Sequence, residues 1–322
     1  MPFSDLSILS LRFSRVKCLK TFSFLLAVSL VNYEGLCQSG DLSQFPKKGS
    51  YLYYGQPAFE DNSFLLEEAF NQPMGVLQNI SNFSFNNVGS KNFAYSFTQE
   101  IPLTNETHQL SYTLSYNIQK PDNRNIKTNG FGDVYISYRP QIFGKNDWIM
   151  LIPRITLILP TGKAFDGMGD GGWGGQLNLA ATKRLSRKIV THYNAGVTFI
   201  SNADKYGQSV LTDERILTYE KNLYHKNAGA SAIWYPVRKF NLFLEYVYNL
   251  TGEIKDDGRL TSHQLHIVNP GFRFCIDNGR MQIVPGLSMP VNFENGRYDH
   301  KGLLVYLSIE PDYLSFSKAK DR

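Results

Sequence analysis

Stretches of period two, separated by connections that alternate short and long, constrain this chain more than anything else in it. Apolar and polar residues alternate over residues 77–86, 92–103, 107–119, 131–143, 147–159, 174–185, 189–202, 227–235, 240–250, 262–276, 280–293 and 302–310. That period belongs to strands, whose successive side chains point to opposite faces of a sheet. The connections at 104–106, 144–146, 186–188, 236–239 and 277–279 are short, and between them fall long ones at 120–130, 160–173, 203–226, 251–261 and 294–301. A soluble sandwich has no reason to keep that rhythm. A transmembrane barrel does, because its periplasmic turns are short, its outer loops are longer, and an even number of strands returns both ends to the periplasm. The expected fold is all-β: a single twelve-stranded antiparallel transmembrane β-barrel with a short N-terminal helix.

Residues 147–188 show the pattern most clearly. Leu151, Pro153, Ile155, Leu157 and Leu159 share one face, opposite Met150, Ile152, Arg154, Thr156 and Ile158; in the next strand Leu177, Leu179 and Ala181 oppose Gln176, Asn178, Ala180, Thr182 and Arg184. An apolar face backed by arginines, amides and hydroxyls suits lipid on one side and a wet interior on the other. In the tenth strand Asn269-Pro270-Gly271 suggests a bulge and a change of phase. Composition agrees: aromatic residues are 14% of the chain while mean hydropathy is -0.28, and no apolar run is long enough for a membrane-spanning helix. The net charge of +5 is modest and no basic cluster marks a folded segment, which argues against a nucleic-acid partner.

Arg12, Arg15, Lys17 and Lys20 precede the apolar run 22–31, and Gly35 and Cys37 then stand where a cleavage site wants small residues. Residues 1–37 read as a secretory signal peptide. The remaining divisions are a periplasmic lead-in with a short helix over 38–76, the barrel over 77–313 and a polar tail over 314–322. Of the three cysteines only Cys275 lies beyond the leader, so neither a disulfide framework nor a cysteine metal site can be built.

In the lead-in, residues 63–70 read as a helix that Ser63 caps, with Glu67 and Glu68 near its positive end and Pro73 stopping it. Phe64, Leu65 and Phe70 need cover, which the barrel mouth, the barrel interior or the membrane surface could provide. Glu67 and Glu68 complete this group of plug candidates. The lumen-lining candidates are Glu100, Asp133, Arg139, Arg154, Arg184, His192, Glu245 and His266. They serve either to select solutes or to fill a narrow barrel with ion pairs.

The runs Asn62-Ser63-Phe64-Leu65-Leu66-Glu67-Glu68-Ala69-Phe70-Asn71-Gln72, Gly75-Val76-Leu77-Gln78, Pro153-Arg154 and Leu159-Pro160-Thr161-Gly162 resemble the outer-membrane barrel family labelled phenol-degradation meta-pathway protein or transporter. The resemblance covers most of the mature chain through short motifs. It implies transport of small solutes, aromatic or apolar ones among them, and brings no catalytic residues with it. The tail after residue 310 departs from the terminal aromatic usual in such barrels.

Two other functions compete with a channel. A structural or surface-interaction barrel would share the same strands. A lipid-acting enzyme would need serine, histidine and an orienting group together, and His192-Tyr193-Asn194 offers no serine two residues on. His263 and His266 are three apart, so an unbroken strand points them to opposite faces. Asp166 and Asp170 in the glycine-rich loop are too few for calcium, which takes six to eight oxygens; a mobile outer loop is expected there. No catalytic residue, metal or cofactor is expected. The expected partners are outer-membrane lipid and a small-molecule solute, with no nucleic acid and with the number of associating chains left open.

Overall fold

The structure, a computed structural model, describes residues 63–88, 90–103, 106–119, 127–144, 148–208 and 215–313. The leader, most of the lead-in and the tail lie outside the described residues. Strand segments follow in chain order: β1 (Gln78–Val88), β2 (Ser90–Pro102), β3 (His108–Gln119), β4 (Thr128–Phe131), β5 (Val134–Pro140), β6 (Met150–Leu159), β7 (Gly174–Arg184), β8 (Ile189–Gln208), β9 (Arg215–Val237), β10 (Phe240–Ile254), β11 (Leu260–Phe274), β12 (Ile276–Asp277), β13 (Met281–Ser288), β14 (Val291–Glu294) and β15 (Arg297–Pro311). β4 with β5, β11 with β12, and β13 with β14 are pieces of single spans, so the segments make twelve staves. Every pairing is antiparallel, and β1 pairs with both β2 and β15, which closes the ring. Closure leaves no edge strand unpaired, as a sheet in hydrocarbon requires.

Alternation decides the two faces. Ile155, Leu157, Leu177, Leu179, Val197, Leu242, Leu244 and Phe272 are exposed on the outside. Ile152, Thr156, Asn178, Ala180 and Thr182, one residue out of phase, are buried inside. Aromatic residues gather near both rims of the outer face. Trp148, with Lys183 Nζ 3.4 Å above its ring, and Trp234 mark the rim of the short turns. Trp173, the Phe199–Tyr224 pair, the Tyr116–Phe131 pair and the Phe85–Phe93 pair mark the other. Two such girdles around an apolar band match the profile of a bilayer. No described helix is long and apolar enough to cross a membrane; crossing is the work of the strands.

Three expectations need correction. Residues 203–226 are mostly not loop: β8 runs on to Gln208 and β9 starts at Arg215, and the two pair along this extension. Register shifts between Ile200 and Ala203 and between Lys205 and Tyr206 break the alternation there, which is why a single period does not show it. No shift occurs at 269–271 either. β11 stays in one register with β10 from Phe274 to Leu260, so Asn269 and Arg273 face inward without a bulge. The third concerns residues 63–70, which are irregular rather than helical. The only helical element named among the described residues is one 3-10 turn at Ala164–Asp166.

One bulge does matter. β3 pairs Tyr116 with Phe131 in β4 but Thr113 with Tyr135 in β5, so three steps along β3 meet four on its neighbour. The extra residue falls at Gly132-Asp133, and there the Asp133 carboxylate accepts the backbone N–H groups of Gly162 at 2.9 Å and Asp170 at 3.0 Å. The glycine-rich loop is therefore fastened to the barrel wall, not loose as its composition suggests. Its Met168 is buried, and a Cβ on Gly132 or Gly162 would collide with the wall or with the Met168 backbone.

Candidate functional site

Strand register places one inward row of polar residues level around much of the lumen. Thr182 on β7 sits opposite His192 on β8, His192 opposite Ser231 on β9, Ser231 opposite Glu245 on β10, and Glu245 opposite Asn269 on β11. On the far side Gln78 sits opposite Glu100, and Gln109 opposite Arg139. All of these are buried, although nothing in a closed barrel wall covers them. What covers them is the chain itself.

Residues 63–72 run through the lumen along this row, and the wall satisfies their backbone. The Glu245 carboxylate accepts the N–H groups of Leu65 at 3.0 Å and Leu66 at 3.3 Å, and is held from the other side by Asn269 Nδ2 at 2.6 Å. Asn194 accepts the Glu67 N–H at 2.9 Å and donates to its carbonyl at 2.9 Å. Thr182 Oγ1 accepts the Ala69 N–H at 2.8 Å, Gln141 donates to the Ala69 carbonyl at 2.8 Å, and Gln109 accepts the Gln72 N–H at 2.8 Å. Arg139 Nη2 donates to the carbonyls of Glu68 at 2.6 Å and Phe70 at 3.3 Å. These bonds replace those a helix would make within itself. That is why a segment with a helical sequence is irregular here: a buried N–H must have a partner, and the wall supplies partners at a spacing no helix could meet.

Side chains fix the segment as pegs do. Phe64 stacks on Tyr306 and meets Phe243 edge-on, both with centroids 4.6 Å away, within an apolar cluster that includes Ile80, Val190, Ile233, Tyr235, Cys275, Val284 and Leu304. Phe70 and Ala69 pack with Met150, Ile152 and Ala180. Two glycines make room. A Cβ on Gly286 would come within 2.4 Å of Phe64 Cζ, and one on Gly229 within 2.6 Å of Leu66 Cδ2.

Charge completes the latch. Fully buried Glu68 lies 3.7 Å from Arg139, which also meets Glu100 at 3.5 Å. Glu67 bonds to Arg154, whose other nitrogen donates to Gln176 at 2.7 Å. Buried ion pairs of this kind add little net stability, but removing one partner is costly.

The structure thus places Glu100, Arg139, Arg154, Arg184, His192 and Glu245 on the inner face and Asp133 at the lumen's outer end. It brings Arg139, Arg154, Glu100 and Glu245 together on the segment carrying Phe64, Leu65, Glu67, Glu68 and Phe70. Arg184 ends β7 on the same inner face. His192 is held by Thr182 through its Nδ1 at 2.7 Å. His266 is a correction: opposite Tyr248 and bonded to Tyr246 at 2.7 Å, it belongs to the exposed outer face. The assumed change of phase at 269–271 had turned it inward. Sequence reasoning missed Gln78, Gln109, Asn194, Ser231, Asn269 and Arg273, and gave Thr182 only as part of the polar face; all are inward and buried. The same parity that found Glu245 would have found them, had neutral amides and hydroxyls been weighed as backbone acceptors and not only as lumen polarity.

Comparison with solved structures finds one likeness strong enough to speak to architecture, and weaker ones beside it. An outer-membrane channel from Pseudomonas putida F1 has a similar structure, with a TM-score of 0.55 at 13% identity over 78% of this chain and 100% of that one. The translocator domain of the autotransporter NalP from Neisseria meningitidis matches with a TM-score of 0.46 at 10% identity, over 74% of this chain and 87% of that one. The NanC porin matches at 0.41 and 7%, over 73% and 98%. At such identity the first likeness shows the fold alone. No family model and no curated protein matches the sequence. The chain has the fold of the outer-membrane barrels.

Proposed function

We propose that this protein is an outer-membrane channel through which small solutes pass down their gradient, with residues 63–72 as its internal plug. The observation that carries the proposal is the plug's mode of attachment. Its backbone is held by side-chain bonds from five strands, β3, β5, β7, β8 and β10, rather than by strand pairing, so it can leave without breaking the barrel. A purely structural barrel needs no such arrangement, since lumen side chains alone fill narrow barrels. Aromatic or apolar cargo, as the sequence resemblance implies, is the alternative to polar cargo and is separated from it by the same assay.

The assay is swelling of liposomes carrying the purified full chain or a variant lacking residues 63–72, against solutes graded in size and polarity. The deletion is expected to raise permeation of single-ring solutes at least tenfold. Equal and negligible swelling by both proteins, with both shown folded by heat-modifiable migration, would defeat the channel reading in favour of a structural or surface-interaction barrel. Lipid hydrolysis by the full chain that is lost in His192→Ala would instead point to an enzyme.

A further inference from the structure

Beside the plug, toward the rim of the long connections, the lumen keeps a cavity of about 160 Å³. Resting on the channel reading, we propose that this cavity is a binding site for a neutral, polyhydroxylated solute of monosaccharide or cyclitol size. The volume is close to the ~150 Å³ of engineered cavities that hold a single benzene ring, so size alone would admit either a sugar or an aromatic. The lining separates them.

One wall is built of small polar side chains from adjacent strands. Thr98 and Thr113 share a hydrogen bond at 2.8 Å, and Ser137 shares one at 2.8 Å with Thr156. Each hydroxyl owns one donor and two acceptor sites, so a pair that shares one bond still has an O–H and free lone pairs to offer. Groups that both donate and accept suit a ligand whose hydroxyls do the same. Asn82 adds an amide oxygen that is buried and has no protein partner. An apolar ring pressed against this wall would cover these groups without bonding to them, and a covered, unpaired polar group bears its full desolvation penalty.

Charged solutes fare no better. The arginines on this cavity, Arg139 and Arg154, are already engaged with Glu100 and with Glu67, so an anion would have to displace a carboxylate. Phe64 and Tyr306 also line the cavity, buried and stacked on each other at 4.6 Å, with Ile80 beside them. A few apolar edges among hydroxyls suit a sugar ring, which presents C–H bonds on one face and hydroxyls at its edge.

The test uses the full chain in detergent, with its plug in place, and saturation-transfer NMR against myo-inositol, D-glucose, benzoate and toluene. The polyols are expected to give signals that compete with one another, with affinity at least tenfold above toluene and benzoate. Thr98→Val with Thr113→Val, which keeps shape and removes both hydroxyls, should weaken polyol binding tenfold or more, while Thr218→Val on the exposed outer extension should leave it unchanged. Toluene or benzoate binding as well as the polyols would overturn the proposal, as would polyol binding that survives the double substitution. If the double variant fails to fold, the ranking of the four solutes on the parent protein still decides. The two readings fail separately: polyol binding without swelling by any solute, plug deleted, leaves the site standing and removes the channel, whereas swelling without a polyol preference does the reverse.

Discussion

The barrel holds two irregular segments against its inner surface, and it holds them in different ways. The plug at residues 63–72 is long on side chains: two phenylalanines, two glutamates and amides each meet a designated partner. The outer loop at residues 160–173 is richer in glycine, and it is fixed by the Asp133 carboxylate, by backbone bonds from Asp204 and Ser201 to the carbonyls of Asp170 and Trp173, by buried Met168 and by close backbone approach at glycines. A Cβ on Gly172 would lie 1.9 Å from the Ser201 carbonyl oxygen, and one on Gly169 would lie 2.4 Å from the Asp133 carboxylate. The plug is therefore held mainly by wall side chains reaching its backbone, the loop mainly by backbone meeting backbone.

The largest difference should appear on removing Arg139. Arg139→Ala leaves Glu68 and Glu100 buried without their cation and two plug carbonyls without a donor, a change that costs about 3–5 kcal/mol. Thermal unfolding of the purified barrel should show the loss, and baseline conductance should rise; an unchanged midpoint would mean the latch carries no weight. Next comes Glu245→Ala, which strips two backbone N–H groups and Asn269 of one acceptor. Hydrogen bonds to a charged group are each worth about 1.5–3 kcal/mol, so the plug should become protease-sensitive near Leu65 while the strands stay intact.

Gly286→Ala tests the fit of the Phe64 peg. Overpacking costs about 1–3 kcal/mol, and Phe64→Leu in the same chain should recover part of it, read by the same melting curve; a loss that Phe64→Leu leaves untouched would place the strain elsewhere. The smallest effect is expected at the loop. Burial pushes the Asp170 carboxyl above its ordinary value, offset in part by His225. A carboxyl whose pKa is raised in the docked state binds its proton more tightly there than when undocked, so docking strengthens as pH falls from the raised value to the ordinary carboxylate value, and that gain is lost as pH rises through the raised value. Cleavage after Lys163 by a lysine-specific protease should slow as pH is lowered toward the ordinary carboxylate range, and Asp170→Asn should flatten that dependence. Cleavage at the plug should not follow the same curve.

The strands were legible because period two is a strong and repeated signal, and lipid on one face demands it over every crossing. Even the lumen identity of Arg154 and Glu245 followed from parity alone. Two kinds of information were hidden. The outer extension of β8 and β9 carries Asp204, Lys205, Glu220 and Lys221 and two register shifts, so it loses the alternation that marks a strand while keeping its pairing. The plug was found as an element but given the wrong conformation. Ser63, Glu67 and Glu68 favour a helix only while water is the competitor for the backbone; inside the barrel Glu245, Asn194 and Thr182 compete instead, and they come from positions more than a hundred residues away. Local sequence cannot report partners so distant.

The position of the plug also ties it to the seam that closes the ring. It leads directly into β1 through Val76, and Gln72 donates to Gln78 at 2.6 Å; β1 is also the stave whose pairing with β15 closes the ring. The described segment nearest the N-terminus is thus hinged to the stave that completes the ring, and a plug that leaves the lumen stays tethered beside that seam, within reach of its own binding row.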